Sequence, residues 1–132
     1  MTCRLTIPGN PATKKNSQRI LRLGNGRRIL APSEAFLAYQ AAAGRYIPQR
    51  LRLRLDMPLE VRGLYFMQTR RKVDLGNLLA ATCDILVHYG VLADDNSRIV
   101  ISHDGSRVYY DRDDPRVEIE IREVAQWQSE GV

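Results

Sequence analysis

The order of apolar and polar positions lays out most of the elements of this chain. Residues 4–7 read as a short strand, and residues 8–17 (PGNPATKKNS) as a turn-rich loop. Residues 19–23 and 27–30 flank Gly24-Asn25-Gly26, which predicts a hairpin. Pro32-Ser33-Glu34 opens a helix with Ser33 as N-cap; it runs to about Tyr46 and stops before Pro48. Residues 60–67 are aromatic and β-branched enough for a strand. Residues 74–89 carry the clearest helical pattern, ended by Gly90. Residues 98–103 and 107–110 flank Asp104-Gly105, which predicts a second hairpin. Residues 111–115 read as a turn. Residues 116–122 alternate Val117, Ile119 and Ile121 with charges, as a half-buried strand does. The tail from Gln126 is expected to fray.

The predicted order is strand, hairpin, helix, strand, helix, hairpin, strand. Its economical arrangement is one α/β (α+β) domain over residues 1–132, a mixed β-sheet with two main helices packed against it. The second helix is placed to cross over to a parallel neighbour, which would make a right-handed connection.

Composition narrows the class. Of 132 residues, 44% are hydrophobic, enough for a core. No apolar run approaches the roughly 18 residues of a membrane span, and residues 1–9 lack a signal-peptide layout. A cytoplasmic protein without a membrane partner is the expectation. Cys3 and Cys83 form no C-x-x-C pair and read as buried, inert thiols. Lys and Arg outnumber Asp and Glu by 20 to 15, a net charge of +5 and a pI near 9.6. That balance favours a polyanionic partner, nucleic acid being the commonest, although a solvated surface of arbitrary sign gives the same total.

Candidate chemistry gathers in residues 70–99. Leu75, Leu78, Leu79, Thr82 and Leu86 recur at helical spacing and form the stripe expected to be buried. Asp74, Asn77, Asp84 and His88 share the opposite face. Asp74 directly follows the basic run Arg70-Arg71-Lys72 and Val73, and the helix is followed by Asp94-Asp95-Asn96. A hard cation such as magnesium takes oxygen ligands, usually one or two carboxylates with waters and a phosphate oxygen. Carboxylates repel DNA, so such a site needs flanking Arg and Lys on the backbone phosphates. Taken alone, Asp94-Asp95-Asn96 is a turn or a cap, and a polar helix face is a wet surface.

Other basic residues lie in separate clusters: Lys14-Lys15 in the first loop, Arg19, Arg22, Arg27 and Arg28 on the hairpin, and Arg50, Arg52 and Arg54 after the first helix. They cannot all face one DNA, so part of them is structural or solubilising. Asp111, Asp113 and Asp114 read as turn residues, and His103 as a structural residue at a strand end. There is no G-x-x-x-x-G-K-[ST] phosphate loop, so no nucleotide cofactor is expected, and no nucleophile elbow.

These residues carry a resemblance. Ile7-Pro8-Gly9-Asn10-Pro11 followed by Lys14-Lys15, then the basic run, Asp74-Leu75, Asn77-Leu78, Asp84, Gly90 and Asp94-Asp95 resemble the RusA-type Holliday junction resolvases, often carried by phages and prophages. The resemblance spans most of the chain. It implies a homodimeric endodeoxyribonuclease of DNA recombination and repair, cutting four-way DNA junctions with Mg²⁺ (or Mn²⁺) held by aspartates. Asp74 matches the first aspartate of the family's Asp-x-Asp-Asn motif. Asp95 matches the later metal-binding aspartate, with Asp94 beside it. Lys14, Lys15, Arg70, Arg71, Lys72 and Asn77 are the implied DNA-binding residues. Two positions depart: the motif's second aspartate is Gly76 here, and a catalytic lysine one turn on is Ala80.

Four functions stay open on the sequence. They are a magnesium-dependent junction nuclease with Asp74, Asp94 and Asp95 as catalytic metal ligands; a branched-DNA-binding module that has lost catalysis with Gly76 and Ala80; a nuclease for forks, flaps or structured RNA; and a basic protein with an acidic protein partner.

Overall fold

Three strands alternate between buried and more open positions, and they make the centre of the molecule. The computed structural model describes residues 1–14, 19–31 and 33–124. β1 (Thr2–Pro8), β4 (Leu59–Met67) and β7 (Arg116–Glu123) each send every second side chain inward. β7 lies between the other two and is antiparallel to both, with Leu5 opposite Ile119 and Val61 opposite Ile121. β5 (Val100–Ser102) and β6 (Arg107–Tyr110) both lie along the far edge of β4 and run parallel to it. The sheet is therefore mixed, and the parallel neighbour expected after the second helix is present.

One face of this sheet is covered. α1 (Glu34–Ala43) contributes Phe36 and Ala43, and α2 (Leu75–His88) contributes Leu78, Leu79, Ile85 and Leu86 to one core with Ile7, Val61, Tyr65 and Ile121. Each fully buried aliphatic side chain there stabilises the fold by roughly 1.5–3 kcal/mol. The other face carries ion pairs between strand neighbours, Arg4–Glu120 at 2.8 Å and Arg122–Glu60 at 2.9 Å. Glu120 also lies 3.5 Å from Arg62, and these arginines hold its carboxyl below the usual range, Arg4's hydrogen bond first.

Thr82 belongs to the buried stripe although it is polar, and the structure shows how. Its hydroxyl and the Tyr65 hydroxyl are 2.7 Å apart, so each satisfies the other. The Tyr65 ring lies back over Gly63, where a Cβ would fall 2.6 Å from it. That close approach explains a glycine in the middle of the longest strand.

The caps form as the sequence asks, but α1 stops at Ala43 and a single 3-10 turn over Gly44–Tyr46 takes the rest of the stretch expected to be helical. Ser33 Oγ accepts the Phe36 N–H of α1 at 3.0 Å, as expected of its N-cap; Pro32 lies outside the described residues. α2 closes on Gly90 at φ +74°, with Gly90 N–H donating to Val87 O and Val91 N–H to Leu86 O.

The two-residue β-turn at Asp104-Gly105 forms, but the hairpin expected on either side of it does not. Gly105 has φ +82° and Ser106 N–H donates to His103 O at 3.1 Å. β5 and β6 nonetheless pair with β4 and not with each other. His103 Nδ1 lies 2.8 Å from Val61 O, and Ser106 Oγ accepts the Gly63 N–H at 3.0 Å. Side chains thus fill the β4 ladder where the turn leaves it, and the chain resumes the same direction. His103 is structural, as expected.

The first predicted hairpin does form, from β2 (Arg19–Arg22) and β3 (Arg28–Ala31), as a separate two-stranded sheet. Both cysteines are buried and free. Burial, with the charges of Asp95 and Asp84 behind it, pushes the Cys83 thiol up to about 12. Among the described residues no helix is long and apolar enough to cross a membrane. The tail from Gln126 lies outside the described residues.

Candidate nucleic-acid interface

The register of the sheet brings four strands, β1, β7, β4 and β6, to one end. Pro8 is opposite Arg116, Arg116 is opposite Phe66, and Met67 is opposite Tyr110. The loop after β1 is held there by Gly9 N–H donating to Pro115 O at 2.9 Å. Asn10 Oδ1 accepts the Gln68 N–H at 2.9 Å, which ties that loop to the segment leaving β4. That segment, residues 68–74, then runs to the start of α2.

Asp74 is the N-cap of α2. Its Oδ1 accepts the Asn77 N–H at 3.2 Å, so one carboxylate oxygen serves the helix and the other stays open. A hollow of about 400 Å³ lies in front of it, lined by Thr13, Lys72, Val73, Asp74 and Asn77. A second, of about 430 Å³, adjoins it through Lys72 and Val73 and is lined also by Asn10, Thr69 and Arg71. Arg70, Arg71 and Lys72 are exposed and make no ion pair among the described residues. The helix N-terminus adds its own positive potential. Backbone N–H groups, unpaired cations and one carboxylate thus face a single cleft, an arrangement suited to a phosphodiester.

Gly76 faces the same point. A Cβ built on it would lie 3.1 Å from Asp74 Oδ1. A side chain at 76 would therefore stand against the Asp74 carboxylate, and here that space is open.

The other predicted residues are placed as follows. Asp94 is exposed and turned on its own loop: Oδ1 accepts the Asp95 N–H at 2.7 Å and Oδ2 accepts from Asn96 Nδ2 at 3.0 Å. These bonds, the Asp95 N–H first, hold its carboxyl below the usual range. Asp95 is exposed and acts on Cys83, seven residues and about 10 Å along α2 from Gly76. Among the described residues no three His, Cys, Asp or Glu side chains come together as a metal group. The donors are hard oxygens, the right kind for magnesium, but they do not form a ready-made cage.

Lys14 does not face the cleft as a free cation. Its Nζ is 2.8 Å from Asp84 Oδ2 and 5.8 Å from the centre of the Phe36 ring, which also accounts for Asp84. Lys15 lies outside the described residues. Arg52 is structural: it donates to Gly44 O and Ile47 O and lies over the Tyr89 ring. Asp111 and Asp114 form the expected turn, closed by Arg116.

Sequence reasoning missed the aromatic side of this end. Arg70 lies 4.2 Å over the Tyr110 ring, and Phe66 stacks on Tyr109 with ring centres 5.0 Å apart. Two consecutive tyrosines ending a strand were the available signal.

Fold and cleft together define an α/β domain with a basic, carboxylate-bearing end. Residues 8–122 match the family Endodeoxyribonuclease RusA, and the chain belongs to that family. At the level of the family the function is Holliday junction resolution by a nuclease-type enzyme. No curated protein matches the chain.

Proposed function

We propose that this protein is a magnesium-dependent, structure-specific endodeoxyribonuclease that resolves four-way DNA junctions as a homodimer. The observation that carries the proposal is Asp74, half free at the N-terminus of α2, in a cleft with Arg71 and Lys72, which make no ion pair among the described residues. Magnesium keeps several waters and needs only one or two protein carboxylates when a phosphate supplies the rest. Asp74 and Asp95, with Asp94 beside it, are the residues proposed to hold it; Mn²⁺ has the same donor preference. When bound, the metal polarises the phosphate and supplies an activated water. Arg70, Arg71 and Lys72 hold the strand by its phosphates, and Asn77 lines the hollow beside Asp74.

Neutralising Arg71 and Lys72 together, as Arg71→Gln with Lys72→Gln, tests the DNA site. If each meets one phosphate, the slope of log affinity against log salt falls by about 1.8. Junction-binding titrations at several salt concentrations read this directly. An unchanged slope would put the DNA elsewhere.

The second copy is assigned to hairpin β2–β3. Ile20 and Leu30 are direct partners in its register and are 69% and 63% exposed. Leu21 and Ile29 are partners too and are 38% and 40% exposed. An isolated two-stranded hairpin is marginally stable in water, and one with aliphatic side chains this open needs a cover. Two symmetric cuts also need two sites about a two-fold axis. The solution mass is expected to be twice 15.1 kDa, and Ile20→Glu with Leu30→Glu is expected to halve it. A double variant that stays dimeric would place the interface on another surface.

A second reading is a branched-DNA-binding protein without catalysis. The open space at Gly76 favours it, because that is where a further carboxylate would stand against Asp74.

A further inference from the structure

The cleft at Asp74 continues past Arg71 into a third hollow of about 350 Å³. Its walls include Thr69, Arg70, Arg71, Val108, Tyr109 and Tyr110. This hollow is aromatic where the others are polar. Tyr110 ends β6, an edge strand whose four residues are all exposed, and is itself 41% exposed. Arg70 lies 4.2 Å over that ring and makes no ion pair among the described residues, so nothing anionic in that part of the chain holds it there. Behind the strand Tyr109 is braced by Phe66, whose ring is covered by Arg116 at 3.8 Å. The end of β6 is thus supported from the far side of the sheet.

We propose that Arg70 and Tyr110 form a stacking platform for one unpaired or splayed nucleobase of the bound DNA strand. The inference rests on the nuclease reading for its ligand and deepens it. Paired bases in a duplex offer no free face, whereas a branch point holds bases that leave the stack with little cost. Aromatic rings and arginine planes both accept such bases, largely without regard to sequence. The remainder of the path is already described: from the platform the strand passes Arg71 and Lys72 to reach Asp74. Four residues of extended chain span at most about 14 Å. The platform therefore holds a base within about four steps of 3.4 Å from the phosphate at Asp74. Tyr110 acts here as a binding and positioning residue and takes no part in bond cleavage.

The test compares the full-length protein with Tyr110→Ala, Tyr110→Leu and Tyr110→Phe, in EDTA so that no cutting occurs. The probe is a four-way DNA junction carrying 2-aminopurine next to the branch. Tyr110→Leu keeps an apolar residue on the strand and guards against simple unfolding. Loss of stacking is expected to weaken junction binding about fivefold or more in the Ala and Leu variants. Tyr110→Phe should bind within about twofold of the unaltered protein, and the salt slope should stay the same in all four because no charge is removed. The 2-aminopurine signal change on binding should disappear with Ala and Leu only. Equal binding by all four proteins would overturn the platform and leave the nuclease reading standing. Loss in Tyr110→Phe equal to that in Tyr110→Ala would assign the effect to the hydroxyl and overturn it too. Failure of the unaltered protein to bind junctions would overturn both.

Discussion

Asp74→Asn is expected to lower metal-dependent junction cleavage by about a hundredfold or more, comparable to removing one strong electrostatic contact to a transition state. The substitution is a clean one for a structural reason. Asp74 caps α2 through Oδ1, and Asn is as good an N-cap as Asp. The helix and the hydrogen bond to Asn77 therefore persist while the ligand charge is lost. Junction binding in EDTA should stay level or strengthen, since a negative charge leaves a DNA-binding cleft. Single-turnover cleavage and EDTA binding assays, run in parallel, separate the two effects. Full cleavage by Asp74→Asn would remove Asp74 from the metal site.

Gly76→Asp is expected to act in the opposite direction. The Cβ it adds would lie 3.1 Å from Asp74 Oδ1, so the Asp74 carboxylate must turn by a few tenths of an ångström. Two carboxylates then stand side by side, and their repulsion is relieved by a divalent cation. The new acid also sits in the first turn of α2, where negative charge is favourable. Cleavage at limiting magnesium should rise about tenfold or more, and half-maximal activity should need less metal. A magnesium titration of the two proteins measures this. An unchanged titration would mean that the space at 76 has no bearing on the metal.

Local pattern reached far into this fold. The alternation of Val117, Ile119 and Ile121 specified a strand with one buried face, and that face packs the core. The stop of α2 at Gly90 was readable because caps depend on nearest neighbours, whereas Asp74, read as the first residue of the helical pattern, is the N-cap just before it. Asp104-Gly105 shows where local reading stops. The turn forms as its residues require, but the partner of the following strand is chosen by the open edge of β4, a non-local term. Residue type suggested phosphate binding for Lys14. Its pairing with Asp84, seventy residues away, could not be read from either segment.

The site was legible in part. Arg71, Lys72, Asp74 and Asn77 were singled out by order along the chain, and they line adjoining hollows because the segment between β4 and α2 is short. Asp94 and Asp95 come from a separate loop, and no sequence rule sets their distance from Asp74. The platform at Tyr110 was illegible because it depends on parallel pairing of β6 with β4, which local turn chemistry argued against.

The measurement that bears most directly on the central claim is incubation of the unaltered protein with end-labelled four-way DNA junction and matching linear duplex, with Mg²⁺, Mn²⁺ or EDTA. The expected result is paired, symmetric cuts near the branch of the junction, absent in EDTA and absent on the duplex. Tight, salt-sensitive junction binding with no cut under either metal would contradict the nuclease and leave a DNA-binding protein built on a nuclease fold.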